Sequence, residues 1–396
     1  MKLLKVLEKY MLTVFFVAVI FSVPVLTKIE PPKELSVAEN RMLASPPLLT
    51  AENVLSGKYF SGWETYLSDH IWERDGWIYL DTKLAMFAGR RVVRDVVITP
   101  AVLLPYVPAD APDESAAELA AKMAERYAKL ARHVERSGGV FLYVNVPEQS
   151  SMLRAAYPGG LYTGGRRYDS QNKAFAAEMD ELGVNYLDMR PVFEASSRDG
   201  TGAEYYARID HHYNMRGAYL TYLTLCEMLS SLGVNVQAKT DATFVTLPNV
   251  FNGSRGRKIY NLTDFNDKLE YIVWDSPVAF TRSDNGNPGA PKVYFLPPSD
   301  DVEVAYTLYM GGDIAETVIE TGRPWLPDCI IFGDSFTNAL ETALYCSFDT
   351  TVALDFRHNK ARTIYDYIEE YKPDVVICLR DDTATLSTDG NGNLPD

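Results

Sequence analysis

The chain has 396 residues, of which 47% are hydrophobic and 23% charged, a composition typical of a folded globular protein. Its net charge of −15 argues against a nucleic-acid partner, because phosphate backbones bind clustered positive charge. The four cysteines show no zinc-ligand spacing, so we expect neither a zinc site nor a disulfide framework and predict four unpaired, buried thiols: Cys226, Cys329, Cys346 and Cys378.

The N-terminus predicts a membrane helix. Lys2, Lys5 and Lys9 precede residues 10–26, an uncharged and mostly apolar run. At about 1.5 Å per residue this run nearly crosses a hydrocarbon core of about 30 Å, with the lysines on the cytoplasmic side. Because no small-x-small cleavage site follows, residues 1–27 favour an uncleaved signal anchor over a removed signal peptide. Both interpretations place the body outside the cytoplasmic membrane, whereas the remaining alternative is a buried core helix.

Residues 28–90 are expected to form a stalk and an amphipathic helical region. Residues 28–50 are rich in proline and polar residues, which is typical of an extended segment. After them, aromatic and apolar residues recur at steps of three and four, which predicts a helix whose aromatic stripe packs against the core or another domain: Tyr59, Phe60, Trp63, Tyr66, Leu67 and Ile71.

From residue 91 the pattern alternates between strands and helices. Residues 91–236 contain the buried-strand pattern GVFLYVNVP after a helix that Asp113 can cap, and residues 321–380 contain CIIF, TTVALDF and DVVICL between helices. Residues 237–320 have Asn, Gly, Pro and Asp clusters between short strands, which predicts an antiparallel β insertion. Residues 381–396 predict a loose tail. The body is therefore an α/β protein with a parallel sheet and a β-rich insertion.

The segment CIIFGDSFTNAL places a serine between a strand and a helix. The strand ends at Phe332, Gly333 and Asp334 make the turn, and Ser335 stands where the helix starts. Ligands bind at this carboxyl edge in open α/β sheets, and helix N–H groups there stabilise an oxyanion. The alternative is a plain helix cap, which the short motif by itself favours.

The segment YYARIDHHYNMRGAY contains two of the five histidines. Asp210 and His212 lie two residues apart, so an extended segment would point both side chains to one side. Asp210 would then orient Nδ1 of His212, and Nε2 would take a proton from Ser335. A metal site or a structural hydrogen-bond cluster is the alternative. His211 is expected to point the other way. Together the two segments complete a Ser, His and Asp set, which favours catalysis.

The sequence resembles the DHHW family of exported bacterial proteins, which belongs with the SGNH-hydrolase-like domains of alginate O-acetylation proteins. The resemblance covers most of the chain and rests on the N-terminal anchor and on ELSVAENRMLASPP, YLSDHIWERDGW, DHHYNMRGAY, YTLYMGGD, GDSF and LDFRHN. It implies an SGNH-like fold with a permuted motif order, in which Asp-x-His precedes the serine. It also implies that Ser335 is the nucleophile, His212 the base and Asp210 the orienting acid. Tyr213 stands where the family name has Trp.

Two further residues are candidates on position alone. Arg357 follows the strand after the GDS helix and is predicted to bind substrate, through a sugar hydroxyl or an anionic group. A surface salt bridge is the alternative. Asn145, at the end of the GVFLYVNVP strand, is a candidate oxyanion donor. No cofactor-binding or metal-binding residue is predicted.

Three functions fit these residues. The first is an extracytoplasmic serine-dependent O-acyl(acetyl)transferase that acts on cell-surface or exported polysaccharide, with a membrane-bound acyltransferase as acyl donor. The second is a carbohydrate esterase with the same triad, because only water exclusion separates the two reactions. The third is a non-catalytic polysaccharide-binding or assembly protein. The anchor and the resemblance favour transfer, by a single-pass protein of the cell membrane whose body is extracytoplasmic.

Overall fold

The computed structural model describes residues 2–31, 33–36, 38–39, 41–108, 116–162 and 165–395. The chain forms two compact units. The helical unit comprises Met1–Arg94 and Arg257–Leu262, and the sheet unit comprises Asp95–Gly256 and Thr263–Asp396. The segment boundaries predicted at residues 27, 90, 236, 320 and 380 stay predictions, and the cap predicted at Asp113 lies outside the described residues.

The helical unit begins with the long apolar helix that the sequence predicts. Its stretch Tyr10–Ile29 is long and apolar enough to cross a membrane, and none of it is buried. Shorter elements follow the helix. The elements of the unit are α1 (Lys2–Ile29), β1 (Leu35–Ser36), β2 (Arg41–Met42), α2 (Ala51–Leu55), α3 (Lys58–His70), α4 (Arg74–Phe87) and β3 (Val92–Val93).

Ion pairs, rather than an apolar stripe, hold α3 in place. Asp69 is the buried residue of α3, and its carboxylate accepts hydrogen bonds from Nη1 of Arg41 at 2.8 Å and from the Ala44 N–H at 2.9 Å. The Arg41 guanidinium holds the pKa of Asp69 well below its usual range. The predicted packing of the aromatic stripe is wrong in part, because Phe60 and Leu67 are exposed.

The sheet unit carries the remaining elements. Its strands are β4 (Val96–Ile98), β5 (Leu103–Pro105), β6 (Val140–Val146), β7 (Tyr186–Asp188), β8 (Ala242–Thr246), β9 (Glu270–Trp274), β10 (Thr281–Asp284), β11 (Asn287–Gly289), β12 (Glu316–Glu320), β13 (Cys329–Gly333), β14 (Thr350–Leu354) and β15 (Val375–Asp381). Its helices are α5 (Ala116–Arg136), α6 (Gln149–Met152), α7 (Gly165–Glu181), α8 (Met189–Ser196), α9 (Met215–Ser231), α10 (Ser254–Lys258), α11 (Thr337–Leu344) and α12 (Ile364–Tyr371). The division between the units falls within α10.

The central sheet has eight strands in the order β11-β10-β12-β14-β13-β15-β6-β7. The pairs from β14 to β7 are parallel, whereas β12, β10 and β11 pair antiparallel. The predicted α/β fold with a β-rich segment is confirmed. Part of that segment is not a separate insertion, because β10, β11 and β12 extend the parallel sheet along its edge. Within residues 237–320, β8 and β9 form a separate two-stranded sheet.

Helices cover the sheet, which explains why its middle strands are apolar on both faces. All five residues of β13 are buried, as are six of the seven in β15. One face packs into a single cluster with residues of α5, α7 and α12. The strand β13 lies between β14 and β15, so both neighbours hold its carboxyl end in place.

The predicted loose tail is wrong for the described residues. Arg380 is 1% exposed, and its guanidinium donates to the carbonyl oxygens of Ser387 at 2.9 Å and Asp389 at 2.7 Å. Further along, the Gly392 carbonyl accepts the N–H of Ile364, the first residue of α12. The Gly- and Asn-rich composition of residues 381–396 is typical of a solvated segment. In the structure, however, carbonyl groups of this segment accept the hydrogen bonds of the buried Arg380 guanidinium.

The four cysteines are free and buried, as predicted. Burial raises the pKa of the thiols of Cys226, Cys346 and Cys378 to about 12, which suppresses the reactive thiolate. We expect the folded chain to react only slowly with Ellman's reagent. In denaturant without reductant, four thiols per chain should titrate, and a count of two would contradict the unpaired state.

Candidate active site

The nucleophile candidate stands on a turn that only glycine allows. At Gly333, the last residue of β13, an added Cβ would lie 1.8 Å from the carbonyl oxygen of Leu379 on β15. A side chain there would push the two strands apart. Ser335 follows two residues later, at the carboxyl edge of the sheet, where the sequence predicts it.

Asp334 fixes the shape of this turn. Its Oδ1 accepts the N–H of Phe336 at 3.0 Å, and its Oδ2 accepts the N–H of Asp381 at 3.1 Å. The cap residue of α11 is Phe336, which makes no side-chain cap bond. The cap interpretation of Ser335 is therefore wrong, because its hydroxyl bonds a histidine instead.

The structure brings Asp210, His212 and Ser335 together. Nδ1 of His212 lies 2.7 Å from Oδ1 of Asp210, and Nε2 of His212 lies 2.7 Å from Oγ of Ser335, although 123 residues separate the last pair. A carboxylate only accepts hydrogen bonds, so Nδ1 of His212 carries a hydrogen and donates a hydrogen bond to Asp210. Nε2 then accepts the Ser335 hydroxyl. This is the geometry of a serine and its general base.

Asp210 stays ionised in this arrangement. Burial alone would raise the pKa of Asp210, but the adjoining His212 side chain and its hydrogen bonds hold that pKa well below its usual range. Besides the His212 ring, Asp210 accepts the His212 backbone N–H at 3.0 Å and the Ser254 N–H at 2.6 Å. A charge fixed beside Nδ1 orients the imidazole and stabilises its protonated form.

The backbone at residues 210–213 differs from the predicted extended segment. Residues 211 and 212 form a bend, in which Asp210 bonds the N–H two residues on, as Asp does in tight turns. The predicted orientation of His211 is wrong for this reason. The rings of His211 and His212 lie 3.7 Å apart between centroids, and Nδ1 of His211 lies 2.7 Å from Oγ of Ser254.

A buried ion pair holds the backbone of the segment that carries Asp210. Arg255 pairs with Glu148 and also bonds the side chain of Gln149, and all three are less than a tenth exposed. Nη1 of Arg255 donates to the Asp210 carbonyl oxygen at 3.3 Å, and its N–H donates to the Ile209 carbonyl oxygen at 3.0 Å. This support was not predicted. No local pattern signals it, because Arg255 and Glu148 lie 107 residues apart in the sequence.

Two aromatic residues enclose the histidine and the turn. The Tyr306 ring stacks on His212, with centroids 3.8 Å apart and planes 5° apart. The Tyr213 hydroxyl donates to the carbonyl oxygen of Phe336, the residue after Ser335. Tyr213 thus packs against the Phe336 ring and also holds the turn through a hydrogen bond. Tyr306, in the YTLYMGGD segment, was not predicted as a site residue.

The two candidates chosen on position alone lie in different settings. The Arg357 guanidinium pairs with Asp355 at 2.6 Å and with Asp313 at 3.0 Å, and the side chain is 26% exposed. Its predicted contact with substrate stays a prediction. Asn145 is buried on β6, which β15 separates from β13, and its Oδ1 has no hydrogen-bond partner among the described residues.

Two groups of side chains in the described residues bring three metal-type ligand atoms within 4.8 Å of one another: Asp210, His211 and His212, and Asp313, Asp355 and His358. In the first group the carboxylate accepts N–H donors and Nε2 faces Ser335. In the second, Arg357 binds both carboxylates. Protein donors thus already bind the carboxylates of both groups.

Comparison with known proteins identifies the fold. Residues 107–257, which include Asp210 and His212, match the family model described as the SGNH hydrolase-like domain of the acetyltransferase AlgX. No curated protein matches the chain. The fold is SGNH-like, and the predicted resemblance to these proteins is confirmed.

Three solved structures are similar to the chain. One of Bacillus cereus PatB1 is 21% identical, with a TM-score of 0.61 over 73% of this chain and 96% of that chain. Another, of the same protein with a sulfonyl adduct, is 19% identical, with a TM-score of 0.60 over 74% and 99%. A DHHW family protein from Eubacterium siraeum is 20% identical, with a TM-score of 0.56 over 74% and 94%.

A buried glutamate lies on α11, the helix that follows Ser335. Glu341 of α11 is 6% exposed, and burial raises its pKa from 4.5 to about 7, against the opposing effects of a Thr337 hydrogen bond and the Arg282 charge. A carboxyl whose pKa is raised by folding adds stability that is complete below its unfolded pKa and is lost as pH rises through the folded pKa.

Replacing Glu341 by Gln should therefore change the pH dependence of stability. The free energy of unfolding of Glu341→Gln should match that of the parent near pH 4, since the amide resembles the protonated acid. By pH 8 the variant should be more stable by about 3 kcal/mol. Denaturant titrations across this range measure the difference. Glu125→Gln, at an exposed position of α5, is the control, and a difference for Glu341→Gln that does not vary with pH would contradict the assignment.

Proposed function

We propose that the chain is an extracytoplasmic serine O-acyltransferase. It would transfer an acyl group, with acetyl as the proposed group, to a hydroxyl of a cell-surface or exported polysaccharide. One observation carries the proposal: Nε2 of His212 accepts the Ser335 hydroxyl at 2.7 Å while the ionised Asp210 holds Nδ1. The match to the SGNH hydrolase-like domain of an acetyltransferase supports acyl chemistry over a binding role.

In the first half of the reaction, Oγ of Ser335 attacks the acyl carbonyl and His212 takes the serine proton. The tetrahedral intermediate collapses, and the leaving group departs with the proton from His212. In the second half, His212 takes the proton of an acceptor hydroxyl, the acceptor oxygen attacks the acyl-serine, and the proton returns to Ser335. Asp210 stabilises the imidazolium in both halves.

The oxyanion that forms in each half needs a donor. The N–H of Ser335 lies at the turn before α11, and it has no acceptor among the described residues. A free backbone N–H next to the nucleophile is a donor of the kind that stabilises acyl-transfer intermediates. We therefore assign the Ser335 N–H to this role.

Arg357 is proposed to contact the acceptor. Its Nε and Nη2 bind Asp355 and Asp313, and Nη1 makes no hydrogen bond with the described residues. Because the two carboxylates neutralise the guanidinium, Nη1 suits a neutral sugar hydroxyl better than an anionic group. The proposed partners are thus a polysaccharide acceptor and a membrane-bound acyltransferase as donor. The helix α1 is proposed to hold the chain in the cell membrane in a single pass.

The nucleophile assignment predicts covalent acylation. With p-nitrophenyl acetate as donor, mass spectrometry should show that the parent chain gains one acetyl group. The rate of nitrophenol release by Ser335→Ala should be lower than that of the parent by at least about a thousandfold. His212→Ala should fall by a similar factor, and His211→Ala should keep most of the activity. Ser231→Ala, on the exposed side of α9, is the control. Equal acetylation of Ser335→Ala and the parent would contradict the assignment.

The fate of the acetyl group distinguishes the three functions. With oligosaccharide acceptors present, acetylated sugar supports the transferase. Free acetate alone would support the esterase, in which water replaces the sugar hydroxyl. No acetyl release at all would support a polysaccharide-binding protein that kept the fold without the reaction.

A further inference from the structure

We propose that helix α4 lies on the outer surface of the membrane, with its exposed apolar side chains inserted at the boundary between the lipid headgroups and acyl chains. This inference concerns the helical unit; it rests on the proposed membrane pass of α1 and not on the acyl-transfer reaction. It rests on the distribution of side chains around α4 and on the hydrogen bonds that tie the start of α4 to the end of α1.

The side chains of α4 are distributed in the opposite way to those of a helix in a soluble protein. Its buried residues are the small Thr82 and Ala85. Four of its large apolar side chains recur at steps of three and four residues and share one exposed face: Trp77 is 52% exposed, Leu80 45%, Leu84 57% and Phe87 91%. We call these four side chains the α4 stripe. A soluble helix would turn such a stripe toward the core, so its exposure indicates a surface that something apolar covers.

The position of α4 within the helical unit identifies the covering phase as lipid. Oγ1 of Thr27, near the end of the apolar helix α1, accepts the N–H of Trp72 at 2.9 Å. Three residues after Thr27, the carboxylate of Glu30 accepts the N–H of Glu73, the residue after Trp72, at 3.3 Å. These bonds hold the start of α4 beside the C-terminal end of α1, where a membrane-crossing α1 would leave the hydrocarbon.

The neighbouring helix α3 supports the same depth. A groove of about 660 Å³ lies beside the last turns of α1, and its lining includes Val23 and Pro24 of α1 together with Trp63 and Leu67 of α3. Apolar side chains of α3 therefore line the same groove as residues of the stretch of α1 that is long and apolar enough to cross a membrane. Tryptophan and tyrosine are the residues that proteins place at the membrane–water interface.

A helix in this position has the properties of an interfacial helix. Its lipid-facing side would carry Trp, Leu and Phe, and its flanks carry Asp81 and Lys83, which are exposed. The long stem of Lys83 runs beside Tyr79, with Nζ 5.8 Å from the ring centroid, which lets the charge reach the headgroup region. A bilayer thus satisfies the α4 stripe and the charged flanks together.

The test uses the full chain in liposomes with an environment-sensitive fluorophore on an introduced cysteine. The four native cysteines are buried, so the label goes to the new position. Leu84→Cys and Leu80→Cys probe the α4 stripe, and Val250→Cys, 52% exposed in the sheet unit, is a reference of similar exposure. We expect blue-shifted emission from positions 80 and 84, strong quenching by lipids with a nitroxide near the headgroup, and protection from aqueous iodide.

Three results would overturn the proposal. Labels at both stripe positions that iodide quenches as readily as it quenches free dye in water would place the stripe in water and leave it to a protein partner of another kind. A blue shift without quenching by the nitroxide lipids would indicate protein contact. A shift that disappears when the protein is diluted into more lipid would assign the stripe to a second copy of the chain.

Discussion

Asp210 is a carboxylate held ionised inside the protein, and the rest of the site is arranged around that constraint. Burial of a charge is costly unless donors replace the lost water, and Asp210 obtains three of them within 3.0 Å. Two come from His212 and one from the Ser254 backbone. The same bonds that keep the carboxylate charged select the tautomer of His212 that accepts the Ser335 hydroxyl. Ionisation and orientation thus have one cause.

The sheet delivers the two halves of the site from distant parts of the chain. Ser335 comes from the carboxyl end of β13, which lies between β14 and β15 in the middle of the sheet. Asp210 and His212 come from a bend before α9, and Arg255 fixes that bend through the carbonyl groups of residues 209 and 210. Since Arg255 pairs with Glu148, 107 residues earlier, the His212 segment is connected to the end of β6 as well. A rigid histidine beside a rigid serine keeps the distance between the two side chains short before substrate binds.

Local patterns predicted the parts of this site that depend on local structure. A strand followed by Gly-Asp-Ser and a helix specifies the turn at Ser335, and the spacing of Asp210 and His212 brings two compatible side chains together. The orientation of His211 was not predictable in this way, because the bend at residues 211 and 212 replaces the alternation of an extended strand. The ion pair of Arg255 and Glu148 and the packing of the tail around Arg380 join residues that are distant or apparently solvated, so no local pattern reports them.

The most direct measurement is reaction of the purified chain with phenylmethylsulfonyl fluoride, followed by peptide mass mapping. We predict one sulfonyl group per chain, on the peptide that contains Ser335, and much slower labelling when Asp210→Asn removes the charge that orients His212. Labelling of a different residue, or an unchanged rate in Asp210→Asn, would contradict the assignment of Ser335 as a nucleophile activated by His212 and Asp210.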